Sequence, residues 1–556
     1  MGFQYPLSSH ALVANFIIDI RDPDYPSIAL FHKIEKHPMQ GDIPCPLLGI
    51  FEEGKTTALA AAVKTISEST GMHAPKDLSL HLSGSPFVSR DETLGLDLTV
   101  YTFSWFLKAD QDNPPIKDAR AKDGKTFHFG IYRLKVNWKT PRDILARSNP
   151  HTFVSTVTNN LWRVWLGDGS IFPLWTSTTM HKAHAVEMLS ICLENLRQDK
   201  TSGARKLADC SLRYLLELSR AMFQGPTKLE IVNSPIARWK MICMVTWHLI
   251  ENGRVGMNAA TRTALLQCLN FIKPHMGDPT AILERIEIYT KIWKSNALRI
   301  SEQFAEYIEQ NIPQLSPEPA KLHPESGYKD RFNFNRGKRT VRIMTNSSGS
   351  NLRGILAALR KCDDVHFEIR ILESRPLCEG ASLGTRLIEE ATREGTIGRL
   401  EIIVASDASA AILARGVNFL IIGADKISTD GDVYNKIGSL PAVLSAKAIS
   451  DEDPKNNMQI IVLAGTEKVM LPSRTQSFVD ENNCPHEIIQ GWRKEEQDIG
   501  ILFNSSRTRI MNKYFEWVPS KYINIYVSEH GVTDKRIIKE QSRFIQNLHT
   551  EIFNGI

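Results

Sequence analysis

The feature that most constrains this chain is a recurring one: a short apolar run that stops abruptly in a small polar loop. Phe419-Leu-Ile-Ile422 runs into Gly423-Ala-Asp425, and Val341-Arg-Ile-Met344 into Thr345-Asn-Ser-Ser-Gly-Ser350. His366 to Leu372 ends in Glu373-Ser-Arg-Pro376, Leu400 to Ala405 in Ser406-Asp407, and Ile460-Ile-Val-Leu463 in Ala464-Gly-Thr-Glu-Lys468. Runs this short read as central parallel strands rather than buried helices. Segments of helical periodicity, such as Leu352 to Leu359, separate most of them. Five strand ends of this kind predict an α/β domain built on a doubly wound, Rossmann-like parallel sheet. Ligands of such sheets bind beyond the carboxyl ends of the strands, which puts Asp425 where chemistry belongs. Loop 345–350 enters a helix and leaves backbone N–H groups free for an anion. On pattern alone Asp425 can equally cap the next turn, and Lys436 can be a solvated surface charge.

The rest of the chain is of two other kinds. At 556 residues it is too long for one core, and a prior of about 150 residues per domain asks for three or four. From 180 to 312 the signal is helical. Ala204, Leu207, Ala208, Leu212 and Leu215 recur at helical spacing, as a core stripe does. Ser234-Pro235 and Asp278-Pro279 each set an N-cap before a first-turn proline. Trp239, Trp247 and Trp293 read as helix-packing residues. Pro313-Gln-Leu-Ser-Pro317-Glu-Pro319, with Pro324 beyond, cannot be helical and serves as the linker into the α/β domain, residues 325–556. In region 1–170, Ala14 to Asp19 and Ile28 to Phe31 read as strands, and a helix runs from Thr57 to Gly71. Leu98 to Leu107 and Phe127 to Val136 read as two aromatic strands, separated by the polar stretch Lys108 to Thr126.

Specific pieces of the last two-thirds resemble a known family. They are Glu373-Ser-Arg-Pro with Glu379-Gly380, Gly423-Ala-Asp425, and Gly431-Asp-Val-Tyr-Asn-Lys-Ile-Gly438. A late segment, Trp517-Val-Pro-Ser-Lys-Tyr-Ile-Asn524 followed by Glu529-His-Gly-Val532, completes the set. Together they resemble the family of ribose-1,5-bisphosphate isomerase, methylthioribose-1-phosphate isomerase and the alpha, beta and delta subunits of initiation factor 2B. Ser202-Gly-Ala-Arg-Lys-Leu-Ala208 and Ser234-Pro-Ile-Ala-Arg238 resemble the helical opening segments of the same family. Gly-Ala-Asp and Asn-Lys are more like the isomerase branch.

The resemblance implies a phosphorylated sugar or nucleotide as ligand. Asp425 would be the general acid, Asn435 and Lys436 would hold hydroxyls and phosphate, and Lys468 would be a late phosphate lysine. It extends the substrate contacts to Gly349, Ser350, Asn351, Arg375, Gly203 and Ala204. Where the isomerases use a cysteine, this chain has Ser347, and a hydroxyl is a far weaker acid than a thiol of pKa about 8.5. Two arginines of the family are replaced by Ser202 and Ser234, and Ser cannot reproduce a bidentate guanidinium fork. Independently of the family, a carboxyl held in a pocket can deliver the proton that opening a furanose requires. The competing expectation is that Lys426 or Lys436 pairs with Asp425 and makes it structural. Two functions from different classes follow: a sugar-phosphate binder or isomerase, and an initiation-factor-like regulatory protein without catalysis.

Region 1–170 resembles a Nudix domain, with Gly49 to Gly71 in the place of the Nudix box. That box holds Mg²⁺ with several glutamates on one helix face. Here Lys64-Thr65 and Glu68-Ser69 occupy those positions, with Glu52 and Glu53 outside the helix, so a degenerate Nudix-like α+β domain kept for binding is expected. A net charge of +5 is small for this length and does not ask for nucleic acid. Eight cysteines without a C-x-x-C pair fit reduced thiols rather than a zinc site or disulfides. No metal or cofactor is expected. The apolar runs are shorter than the roughly 20 residues of a membrane helix, and Met1-Gly-Phe-Gln-Tyr-Pro6 lacks a signal pattern. A cytoplasmic homodimer, joined through its C-terminal domains, is expected.

Overall fold

The computed structural model describes residues 10–20, 26–33, 45–52, 55–74, 76–91, 96–108, 126–129, 132–141, 144, 161, 163–164, 179–224, 234–312, 339–346, 348–452, 458–472, 483–491, 505 and 507–553. Ser347, Glu53 and the proline-rich linker expected after 312 lie outside them.

The N-terminal domain contains β1 (His10–Asp19), β2 (Ser27–Lys33), β3 (Leu47–Glu52), α1 (Ala58–Thr70), β4 (Leu78–Ser83), β5 (Phe87–Asp91), β6 (Leu96–Leu107), β7 (Thr126–Phe129) and β8 (Tyr132–Lys139). Its sheet runs β4-β6-β1-β2-β8-β7, with β3 added on β1 and β5 on β6. The β1–β6 pair is parallel and the others are antiparallel. The single strand expected over 127–136 is instead the hairpin β7–β8, with Phe129 opposite Tyr132. A glycine, Gly130, interrupts the apolar run there, and glycine weakens a strand interior. Helix α1 starts where the Thr57 hydroxyl accepts from Ala60 N–H (3.1 Å) and stops at Gly71, whose φ of 70° suits glycine. Ala61, Ala62 and Ile66 pack it onto one face of the sheet. The other face, through Phe16, Ile18, Leu30 and Leu82, shares a core with the helical domain.

That domain is α2 (Thr179–Gln198), α3 (Ala204–Gln224), α4 (Pro235–Glu251), α5 (Asn258–Ile272) and α6 (Pro279–Asn311). The stripe from Ala204 to Leu215 is buried along its length. Ser234 caps α4 by accepting from Ala237 N–H, and Asp278 caps α6 by accepting from Thr280 N–H (2.8 Å). Trp247 and Trp293 are buried, Trp239 packs against the same core, and Trp247 Nε1 donates to Ser83 O of the first domain (3.0 Å). Helix α6 serves two domains: Ile282 and Ile286 lie in the helical core, whereas Ile300, Phe304 and Ile308 lie in the core of the next domain.

The C-terminal domain contains β9 (Arg339–Thr345), α7 (Ser350–Lys361), β10 (Val365–Leu372), α8 (Glu379–Arg393), β11 (Leu400–Ala405), α9 (Ala410–Ala414) and β12 (Phe419–Ile422). There follow β13 (Lys426–Ile427), β14 (Val433–Lys436), α10 (Ser439–Glu452), β15 (Gln459–Leu463), α11 (His486–Ile489), β16 (Phe515–Val518), β17 (Ile525–Ser528), β18 (Gly531–Thr533) and α12 (Lys535–Phe553). The main sheet runs β11-β10-β9-β12-β15-β17-β18 and is parallel except for the β17–β18 pair. The chain therefore winds outward from β9 to one edge, returns, and continues from β12 to the other. That is the doubly wound topology, and its switch point lies between β9 and β12, where a crevice forms at the carboxyl ends. A separate three-stranded sheet, β13-β14-β16, carries Asn435 and Lys436.

Helix α8 lies so close to β10 that a Cβ on Gly380 would sit 1.9 Å from Leu372 O, a backbone atom with nowhere to go. Gly380→Ala should therefore lower the melting temperature, with overpacking costing about 1–3 kcal/mol. Gly277→Ala, where a Cβ meets nothing within 4 Å, is the control in the same thermal scan and should not.

Candidate functional site

Three strand ends and one helix start meet at the switch point. Beyond β9, Asn346 is fully buried, and its Nδ2 donates to Ser439 Oγ (3.0 Å). Asn435 Nδ2 donates to the same oxygen (2.8 Å), and the Ser439 hydroxyl donates to Lys436 O (2.6 Å). One donor and two acceptors exhaust a hydroxyl, so Ser439 fixes both amides. The Oδ1 of Asn346 is left buried with no partner among the described residues. Asn351 Nδ2 donates to Thr345 Oγ1 (2.9 Å) and ties α7 to β9. Gly349, with φ 79°, precedes Ser350 at the first position of α7 without capping it by a side chain.

Beyond β12, Asp425 is 8% exposed. Its Oδ1 accepts from Ala204 N–H at the start of α3 (3.3 Å) and faces Lys468 Nζ (3.8 Å). Neither lysine expected beside it is there. Lys426 Nζ donates to Val255 O (3.3 Å), and Lys436 Nζ pairs with Glu379 Oε1 (3.0 Å). Asn435 and Lys436 are successive residues of a strand, so their side chains leave on opposite faces. Lys436 thus turns to a pocket with Ser374, Arg375, Glu379 and Tyr514, its ammonium 4.6 Å from the Phe515 ring centroid. The strand ends converge on one edge, with Lys436 paired to Glu379 and Lys468 facing Asp425.

Beyond β15, Lys468 and Glu467 form a short turn. Glu467 Oε1 accepts from Arg205 Nη1 (2.9 Å), and Arg205 Nη2 donates to Trp293 O (2.5 Å) while the guanidinium lies 4.9 Å above the Trp293 ring. Glu529 accepts from Thr466 N–H (3.0 Å). Asp407, after β11, accepts from the backbone N–H groups of Ser374 (2.9 Å) and Arg375 (2.8 Å) and so sets the loop that begins α8. Gly203 is exposed in front of Ala204. Of the two serines expected in place of arginines, Ser202 is buried with its N–H on Asp199 Oδ1 (2.8 Å), and Ser234 caps α4. Sequence reasoning gave no role to Asn346, Asp407, Ser439, Glu379, Glu467 or Arg205. Glu379 was visible as the first-turn acid after the Ser-Arg-Pro loop, and Ser439 as the hydroxyl following Gly438.

Residues 279–535 match the sequence profile of the Initiation factor 2 subunit family, so the chain carries a domain of that family. The methylthioribose-1-phosphate isomerase of Geobacillus kaustophilus is 26% identical over 36% of this chain and 52% of its own length. That of Desulfatibacillum aliphaticivorans is 26% identical over 45% of this chain and 66% of its own. The chain thus spans between half and two-thirds of these relatives. The crystal structure of translation initiation factor eIF-2B from Pyrococcus horikoshii OT3 aligns with a TM-score of 0.41 and 18% identity, over 62% of this chain and 97% of that one.

Burial pushes the Glu467 carboxyl above its ordinary value of 4.5; Arg205 opposes this and Glu529 adds to it. A raised carboxyl pKa means that the folded chain holds this proton more tightly than the unfolded one. Its contribution to stability is complete below pH of about 4.5 and is lost as pH rises through the folded value. Melting temperatures measured upward from pH 4.5 should therefore fall more steeply for the wild type than for Glu467→Gln. Parallel curves would count against the assignment.

Proposed function

We propose that this protein binds a phosphorylated sugar, free or as part of a nucleotide, in the β9/β12 crevice, and that Asp425 moves a proton to or from it. The placing of Asp425 carries the reading. Its Oδ1 is held by a backbone N–H and faces an ammonium, while Oδ2 has no partner among the described residues. A carboxyl fixed in this way at the switch point of a parallel sheet is positioned for general acid–base work. The buried, unpartnered Oδ1 of Asn346 lacks a donor, and a sugar hydroxyl supplies one. The relatives named as methylthioribose-1-phosphate isomerases support an aldose–ketose isomerisation of a ribose 1-phosphate-type substrate. In that reaction Asp425 protonates the ring oxygen, Ser347 stands where the isomerases have a thiol, and Gly203, Ala204 and loop 349–351 surround the ligand.

One observation favours the second reading, an initiation-factor-like regulatory protein without catalysis. The lysine expected on the phosphate, Lys436, is already neutralised by Glu379. Turnover of methylthioribose 1-phosphate decides between them. The isomerase reading expects turnover that Asp425→Asn lowers by about 10²–10⁴-fold and Ser347→Cys raises. Binding without turnover in the wild type and both variants selects a sensor, and no binding at all selects the regulatory role. Binding itself is read by thermal denaturation, where ligand at a hundred times its Kd adds about 2.7 kcal/mol.

In the same proposal region 1–170 is a Nudix-like domain kept for interaction. The acid of α1, Glu68, is exposed and faces Lys64 (3.7 Å). The assembly proposed is a dimer through the C-terminal domains, and a monomer in sedimentation at micromolar concentration would remove that part.

A further inference from the structure

Three cations at the crevice are already matched by carboxylates. Lys468 faces Asp425 (3.8 Å), Lys436 pairs with Glu379 (3.0 Å), and Arg205 pairs with Glu467 (2.9 Å). A phosphate monoester brings one to two further negative charges, so it needs cations that are not yet neutralised.

Two arginines on the helices that follow β9 and β10 meet that need. Arg353 lies in the first turn of α7, directly after the loop that closes β9, and Arg386 lies two turns into α8, which packs against α7. Both are exposed, and neither has a hydrogen-bonding or ion-pair partner among the described residues. Arg353 is within electrostatic reach of Arg205 and Arg386, and of Asp209 and Glu467. Those two acids are engaged elsewhere: Asp209 accepts from Trp293 Nε1 (2.6 Å), and Glu467 holds Arg205. The protein around Arg353, then the Arg205 guanidinium, push Arg353 below the ordinary arginine value, with Arg386 adding to this.

We infer that Arg353 and Arg386 form the phosphate subsite of this crevice, on the rim between α7 and α8, in place of Lys436 and of the arginines replaced by Ser202 and Ser234. The inference rests on the sugar-phosphate reading and says where the phosphate goes. Two guanidiniums from adjacent helices offer the planar, bidentate donors that a phosphate ester takes. The sugar then points from the rim toward Asp425 and Asn346.

Titration calorimetry of the full chain at low salt, with ribose 5-phosphate as the probe, tests this. Arg353→Gln and Arg386→Gln should each weaken binding about tenfold and the double variant more, as loss of a charged hydrogen bond predicts. Lys447→Gln removes a surface charge on α10 that pairs with Asp451 and should bind like the wild type. A double variant that binds as well as the wild type overturns the arginine subsite alone. A wild type that takes up no probe overturns the subsite together with the sugar-phosphate reading. If the variants fold poorly, labelling of the wild type with phenylglyoxal tests the same two side chains in the native protein. Protection of Arg353 and Arg386 by ribose 5-phosphate supports the subsite, and equal labelling with and without the probe overturns it.

Discussion

The crevice exists because the start of α3 is held against the sheet by a buried ion pair. Arg205 and Glu467 are 14% and 5% exposed, so the pair is largely out of water. Burying two charges is favourable only where geometry is good and the remaining donors are met. Here Arg205 also donates to Trp293 O and stacks on the Trp293 ring, and Trp293 Nε1 is tied to Asp209, one turn further along α3. The result joins α3, α6 and the turn after β15 in one knot. Ala204, whose N–H reaches Asp425, is the residue next to this pair. Helix α6 adds a second attachment, since its C-terminal half belongs to the core of the α/β domain. The helical domain is anchored at both ends of the site.

Most of the doubly wound sheet was legible in the sequence, for a physical reason. Strands buried on both faces must be continuously apolar, and their ends must turn, so each leaves an apolar run that stops in a small polar loop. The crossover rules then narrow the possible strand orders to a handful. What escaped were elements without that signature. β17 has four residues inside a longer aromatic and polar segment, β13 has only two, and β16 pairs with β14 only because the chain returns from far away. The double duty of α6 was hidden too. Periodicity shows that one face of a helix is buried, but never against what.

At the site, the positions of Asp425 and Asn435 could be read, whereas their partners could not. Charge pairing is a property of the folded chain: Arg205 and Glu467 are 262 residues apart. A lysine after a strand end therefore reads as an anion ligand in sequence, although folding delivers Glu379 to Lys436 and Asp425 to Lys468. The hydroxyl of Ser439 is the opposite case. It follows directly on the Gly431 to Gly438 segment, and its importance appears only when the distant Asn346 amide joins the nearby Asn435 amide on it.

The same web explains how such a site can discriminate. Asn346 and Asn435 are fixed through Ser439, the 374–375 backbone through Asp407, and Thr466 through Glu529. Groups held by the fold need no ordering when a ligand arrives, so less of the binding free energy is lost to entropy. The carboxylates opposite Lys436 and Lys468 work in the other direction, because an anion that displaced one would leave that charge unpaired. A site fixed in its hydrogen bonds and balanced in its inner charges rewards hydroxyl geometry before net charge. Under the proposed sugar-phosphate reading, recognition of the sugar belongs to the floor of the crevice, and attraction of the anion belongs to the rim, where cations remain unmatched.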